Sequence, residues 1–186
     1  MNSQINEALK VLKNGGLILY PTDTVWGVGC DATNEAAVKK VYELKQRDDS
    51  KALVCLVNTP TMLENHVKDM PSAIYNVIEG ATRPTTVIYD NPIGVAKNVI
   101  SAENTLAIRL VKHAFCEHLI AKLGQPIVST SANISGQPTP TIFDEISEEI
   151  LKGVDYVVNL QNEKTASAPS TIIRLEKDGT VSTIRA

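Results

Sequence analysis

An uninterrupted apolar run from Gly16 to Tyr20, stopped by Pro21, constrains this chain more than any other feature. A strand with one face in water would alternate polar and apolar residues, so a continuous run predicts a strand covered on both faces. A second such run follows at Leu53–Val57. Between them, Thr33 or Asn34 can cap a helix reaching about Lys45, with Ala37, Val38, Val41 and Leu44 as its inward stripe. Strand, helix, strand in that order predicts an α/β domain whose sheet is at least partly parallel.

The flanking segments fit the same class. Ala8, Val11 and Leu12 predict a helix over Asn6–Lys13 that exits at Asn14-Gly15-Gly16. Short helices are expected near Thr61–His66 and Pro71–Glu79, strands at Thr85–Tyr89 and Thr105–Leu110, and a helix over His113–Leu123 ended by Gly124. Ile127–Thr130 reads as a strand, Asp144–Lys152 as a helix capped by Asp144, and Asp155–Leu160 as a strand. Ser170–Glu176 and Thr180–Arg185, joined by Lys177-Asp178-Gly179, carry the signal of a hairpin, which places antiparallel pairing at the C-terminal end of a mixed sheet. The 186 residues, 43% of them apolar and without repeats or linkers, predict a single domain over 1–186.

Composition removes several function classes. No stretch of eighteen apolar residues and no basic-then-apolar leader occurs, so a cytoplasmic protein with no membrane segment is expected. Cys30, Cys55 and Cys116 are far apart in apolar surroundings and predict core residues rather than metal ligands or disulfides. The net charge of −3 and the scarcity of aromatic residues give no general nucleic-acid signature, although a local basic cleft is compatible with them. Neither phosphate-binding glycine motif is present, and His66, His113 and His118 belong to no nucleophile or metal motif.

Chemistry-bearing residues collect where strands are expected to stop, a usual position for ligand crevices in α/β sheets. Tyr20-Pro21-Thr22-Asp23-Thr24 supplies two hydroxyls and a carboxylate that can hold a small polar ligand or merely bond their own turn. Lys45, Arg47 and Lys51 put three cations within seven residues, able to clamp a polyphosphate or simply to complement a helix C-terminus. Ser129-Thr130-Ser131-Ala132-Asn133 with Ser135-Gly136-Gln137-Pro138-Thr139 offers a dense set of donors directly after a buried strand. Ser167-Ala168-Pro169-Ser170-Thr171, Arg109 and Arg185 complete the candidates.

Taken in series these clusters resemble the YrdC family. The resemblance rests on Gly-Gly-apolar-Tyr-Pro-Thr-Asp-Thr-x-Trp-Gly at 15–27, Lys-x-Arg at Lys45 and Arg47, Ser-x-Asn at Ser131 and Asn133, and Pro-Ser-Thr at 169–171. It runs from Gly15 to Arg185. It implies a twisted mixed parallel/antiparallel sheet flanked by helices around a deep basic cleft. It also implies a nucleotidyltransferase reaction: L-threonine, bicarbonate and ATP give threonylcarbamoyl-AMP and pyrophosphate, for threonylcarbamoyladenosine modification of tRNA. Carried over residue by residue, Lys45, Arg47, Ser131 and Asn133 are the expected catalytic set around the phosphates. Lys51, Thr105, Thr139 and Arg185 are expected on ATP, and Thr24, Arg109, Ser129, Thr130 and Ser170 on threonine.

No protein-held metal is implied; Mg²⁺ would travel on the phosphates of ATP. Downstream tRNA-modifying proteins are the expected partners, with direct contact to tRNA or double-stranded RNA possible in a basic cleft. Two departures from the family pattern stand out: Asp48-Asp49-Ser50-Lys51 follows Arg47 in place of a proline, and Gly80–Thr86 replaces a stretch containing Pro-Gly-Pro. An RNA-binding module of the same fold and a paralogue with another substrate are the alternatives. A carbamoyl-transfer domain of hydrogenase maturation enzymes is disfavoured, because this chain has neither their length nor their zinc-finger cysteines.

Overall fold

In the computed structural model the described residues are 1–47, 53–68, 70–160, 168–176 and 180–186. Ile5, Ala8 and Leu12 fall on one side of helix α1 (Asn2–Lys13) and are buried. The helix begins earlier than predicted because Ile5 extends that buried stripe by one turn. The Gly16–Tyr20 run yields β1 (Ile18–Tyr20), and β2 (Gly27–Gly29) returns beside it. Helix α2 (Glu35–Leu44) is capped by Asn34, whose side chain accepts from the Ala37 N–H. There follow β3 (Val54–Val57), α3 (Pro60–Glu64), α4 (Ala73–Gly80), β4 (Thr85–Asp90) and β5 (Thr105–Leu110). Helix α5 (Ala114–Leu123) ends at Gly124, whose φ of 73° is the left-handed stop that the sequence signals. The chain closes with β6 (Ile127–Ser131), α6 (Glu148–Gly153), β7 (Tyr156–Val157), β8 (Thr171–Leu175) and β9 (Val181–Arg185).

The strands lie in the order β7-β1-β2-β6-β3-β5-β4-β8-β9. Three pairs are parallel, β1 with β7, β3 with β5 and β4 with β8, and the other five are antiparallel. The sheet is mixed as expected, but antiparallel pairing is not confined to the C-terminal hairpin. β2 accounts for the difference. It reverses the chain after β1, so β1 and β3 run in opposite directions. The crossover unit is β2–α2–β3, whose two strands both pair antiparallel with β6 between them. A second correction concerns Asp144, which sits in a 3-10 turn at Phe143–Glu145. The following helix starts later, capped by the Ser147 side chain.

Both faces of the central strands are covered, as the continuous apolar runs require. On one face Ala37, Val38 and Val41 of α2 and Ile74 of α4 pack with Cys55, Val57, Val87 and Ile108. On the other, α1 and α5 pack Ile5, Leu12, Phe115 and Leu119 onto Ile18, Leu56 and Ile127. Trp26, Leu19 and Val28 form a third cluster with Ile150 of α6. All three cysteines are buried and free. At Gly29 a Cβ would lie 2.2 Å from the Val128 carbonyl oxygen, so only glycine allows β2 to approach this closely. Among the described residues no helix is long and apolar enough to cross a membrane.

Candidate functional site

Strand register decides which side chains can meet. Directly paired residues share a face of a sheet, and the pairs Arg109–Thr86, Thr86–Ile172 and Ile172–Arg185 set one row across β5, β4, β8 and β9. The pair Val54–Ser129 lies on the same face, because Val54 stands two residues from Leu56, the partner of Arg109. Helices α1 and α5 cover that face at Leu56 and Ile127. Further along it lies a cavity of about 200 Å³, lined by Thr22, Thr24, Gly27, Arg47, Val54, Arg109, Ser129, Thr130, Ser131, Thr139, Ser170, Ile172 and Arg185, among others. The site therefore rests on a sheet face as well as on strand ends.

Thr22 bonds mainly within its own turn. Its hydroxyl donates to the Val25 carbonyl at 2.7 Å, accepts from the Thr24 N–H at 3.1 Å and lies 2.9 Å from the Thr24 hydroxyl. Asp23 instead reaches across the fold. Its Oδ1 lies 3.1 Å from Arg109 Nη2 in a buried ion pair, and its Oδ2 accepts from the Lys112 N–H at 3.2 Å. Arg109 Nη2 also donates to the Thr24 hydroxyl at 3.3 Å, while its Nε is buried with no hydrogen-bond partner among the described residues. Arg185, also in the cavity lining, donates through Nε and Nη2 to the Ser170 carbonyl, at 3.1 and 2.7 Å. The Ser170 hydroxyl in turn pairs with that of Thr86 at 2.7 Å. Partial desolvation of the Arg185 guanidinium, and then the nearby Arg109, lower its pKa from the usual arginine value.

Of the thirteen residues predicted for the site, nine line this cavity: Thr24, Arg47, Arg109, Ser129, Thr130, Ser131, Thr139, Ser170 and Arg185. Lys45 does not. Its buried ammonium donates to the carbonyls of Ser131 at 2.5 Å and Asn133 at 2.6 Å, so it fastens the segment after β6 to the end of α2. Desolvation, then the charge of Arg47, push the Lys45 pKa down to about 8. Asn133 also stands outside the lining and donates its amide to the Ile134 and Gln137 carbonyls, shaping the same segment. Thr105 opens β5, with its hydroxyl on that of Ser101 at 2.7 Å. Four strand residues, roughly 13 Å, separate it from Arg109. Lys51 lies outside the described residues.

Sequence reasoning missed Gly27 in the lining and Thr86 beneath Ser170. Gly27 belongs to the Trp-Gly end of a motif already marked. Thr86 carries no sequence signal, since it is one of two adjacent threonines opening β4 and acts only through its register with Arg109.

A family model named Sua5_yciO_yrdC, described as telomere recombination, matches residues 10–186. This chain belongs to that family. A relative from Methanocaldococcus jannaschii is 37% identical over 176 residues, covering 93% of this chain and 81% of its own length. A relative from Idiomarina loihiensis, named threonylcarbamoyl-AMP synthase, is 33% identical over 161 residues, or 85% of this chain and 86% of that protein. The solved structure of P. abyssi Sua5 complexed with L-threonine superposes with a TM-score of 0.88 at 28% identity, covering 97% of this chain and 53% of the other. This member of the family thus spans about half the length of the Sua5 chain it matches.

Proposed function

We propose that this protein is a threonylcarbamoyl-AMP synthase, a nucleotidyltransferase that forms threonylcarbamoyl-AMP and pyrophosphate from L-threonine, bicarbonate and ATP. One observation carries the reading: Arg47, Arg109 and Arg185 line one cavity with seven serine and threonine hydroxyls, and no carboxylate joins them among the described residues. Such a lining suits anions that repel one another. The reaction must bring together the carboxylate of threonine, a second carboxylate made from bicarbonate, and a triphosphate.

The threonine amine attacks the bicarbonate carbon, and loss of water leaves an N-carboxylate. Its oxygen attacks the α-phosphorus of ATP, the bond to the bridging oxygen breaks, and pyrophosphate departs with that electron pair. Positioning and charge neutralisation dominate such a step, which accounts for a site built from cations and hydroxyls. In this proposal Arg109, with Thr24 and Ser170, holds the threonine carboxylate, and Ser129 and Thr130 close that end. Arg47, Arg185, Ser131 and Thr139 meet the phosphates, joined by Lys51 of the family pattern. Lys45 and Asn133 act through the segment that presents Ser131. Thr105, bonded to Ser101, has no part in it.

Magnesium would be carried by ATP, held by its phosphate oxygens and water and neutralising their charge. Among the described residues no group of three or more His, Cys, Asp or Glu could hold a metal ion. The product is a mixed anhydride that water destroys, so a tRNA-modifying partner must receive it promptly, in keeping with a cytoplasmic location. Mass spectrometry of reactions with isotopically labelled bicarbonate tests the assignment. A labelled threonylcarbamoyl-AMP ion that requires threonine, bicarbonate and ATP together is expected, and its absence from an active, ATP-consuming preparation would refute the proposal.

A further inference from the structure

Arg109 sits on a strand enclosed by β3 and β4 and faces the cavity. A guanidinium there can bind a planar anion by two parallel hydrogen bonds only if its plane is fixed, because the fork must match the carboxylate in direction as well as distance. Sheet register fixes its Cα but not the long side chain beyond it. Among the described residues the polar groups on that guanidinium are the Thr24 hydroxyl, which accepts from Nη2, and the Asp23 carboxylate, whose Oδ1 lies 3.1 Å from the same nitrogen as a buried counter-charge without a hydrogen bond of its own. The Nε is buried and has no hydrogen-bond partner among the described residues.

Asp23 is itself fixed. Its side chain is only 8% exposed, and the Lys112 N–H holds Oδ2. That amide follows Leu110 and Val111 at the exit of β5, so the strand carrying Arg109 also orients the carboxylate that orients Arg109. Asp23 does not line the cavity that Arg109 faces. It lines a separate one of about 260 Å³ with Arg83 and Lys112. The ion pair thus forms part of the wall between two cavities, with the cation on the active side and the anion on the far side.

We infer that Asp23 is a positioning residue for threonine: it touches no substrate, and it aims the Arg109 guanidinium so that its free edge meets the amino acid's carboxylate. The inference rests on the synthase reading and adds a residue to it. In this arrangement Asp23 governs threonine affinity and leaves ATP affinity alone, because its contacts among the described residues run to Arg109 and the Lys112 amide.

The test is steady-state pyrophosphate release by the wild type, Asp23→Asn, Arg109→Lys and the double variant, with thermal melting of each. In Asp23→Asn the KM for L-threonine should rise roughly tenfold or more, the scale of a reacting group displaced by a fraction of an ångström, while the KM for ATP stays within about threefold. A general loss of structure would move both. The double variant should bind threonine no worse than Arg109→Lys alone, because each change removes the same interaction. If Asp23→Asn does not fold, Asp23→Glu keeps the charge but shifts the guanidinium, and the same split between the two KM values is expected. An unchanged threonine KM in a folded variant, or effects that add in the double variant, would overturn the inference while the synthase reading stood. A wild-type protein that releases no pyrophosphate in response to threonine would overturn both.

Discussion

Arg109 and Arg185 stand in one cross-sheet row and face one cavity, yet the fold holds them in opposite ways. Arg109 is buried on an inner strand and balanced by the Asp23 carboxylate. Arg185 is an exposed residue on the edge strand β9, and its guanidinium leans on the neutral carbonyl of Ser170. The fold depends on the first cation, because removing it strands a buried carboxylate; the second can leave with little structural consequence. Position in a site and dependence of the fold on that position are separate properties, and this pair separates them.

Arg109→Ala offers the largest effect. Leaving Asp23 buried without its counter-ion should cost about 3–5 kcal/mol of stability, together with loss of threonine-dependent turnover, as read by chemical denaturation beside the activity assay. A variant that stayed as stable as the wild type would break the contrast. Lys45→Met comes next. Two hydrogen bonds from an ammonium to buried carbonyls disappear, so a loss of about 1–3 kcal/mol is expected, with a fall in activity through disorder of the segment bearing Ser131 and Asn133. If activity vanished while melting did not change, Lys45 would be a phosphate ligand rather than a fastener.

Arg185→Ala should be the mirror image of Arg109→Ala. Stability should move by no more than about 0.5 kcal/mol, as for most surface positions, while ATP-dependent activity falls roughly ten- to hundredfold, the worth of one hydrogen bond to a charged group. The smallest effect concerns pH. The folded-state pKa of Lys45 is lowered to about 8 from an ordinary 10.5. Between those values the unfolded chain binds more protons, so the penalty for burying the ammonium is full below about pH 8 and is relieved as pH rises toward 10.5. Relative to Lys45→Met, the wild-type melting temperature should therefore gain with pH across that window.

Much of the fold is legible because burial writes itself into composition. Leu53–Val57 can only be a strand with both faces covered, and Gly124 can only end a helix where the left-handed conformation is needed. β2 was not legible: Gly-Val-Gly has no alternation and two residues that disfavour strands, and it exists because β1 and β6 hold it by backbone hydrogen bonds. The direction of the crossover was lost with it. In the site, residues within short motifs could be found, whereas Asp23 with Arg109 and Thr86 with Ser170 are pairings across some 85 residues that only the folded chain creates. Lys45 was recognisable as a cation near a helix end, but its burial against two carbonyls depends on where β6 delivers the chain.

The most direct test of the central claim is pyrophosphate release from ATP and Mg²⁺ by the purified protein, with threonine and bicarbonate supplied together, singly and not at all. The account predicts release only when both are present, and less with L-serine in place of threonine. Release that needed neither, or none with both present in a protein that binds ATP, would contradict it.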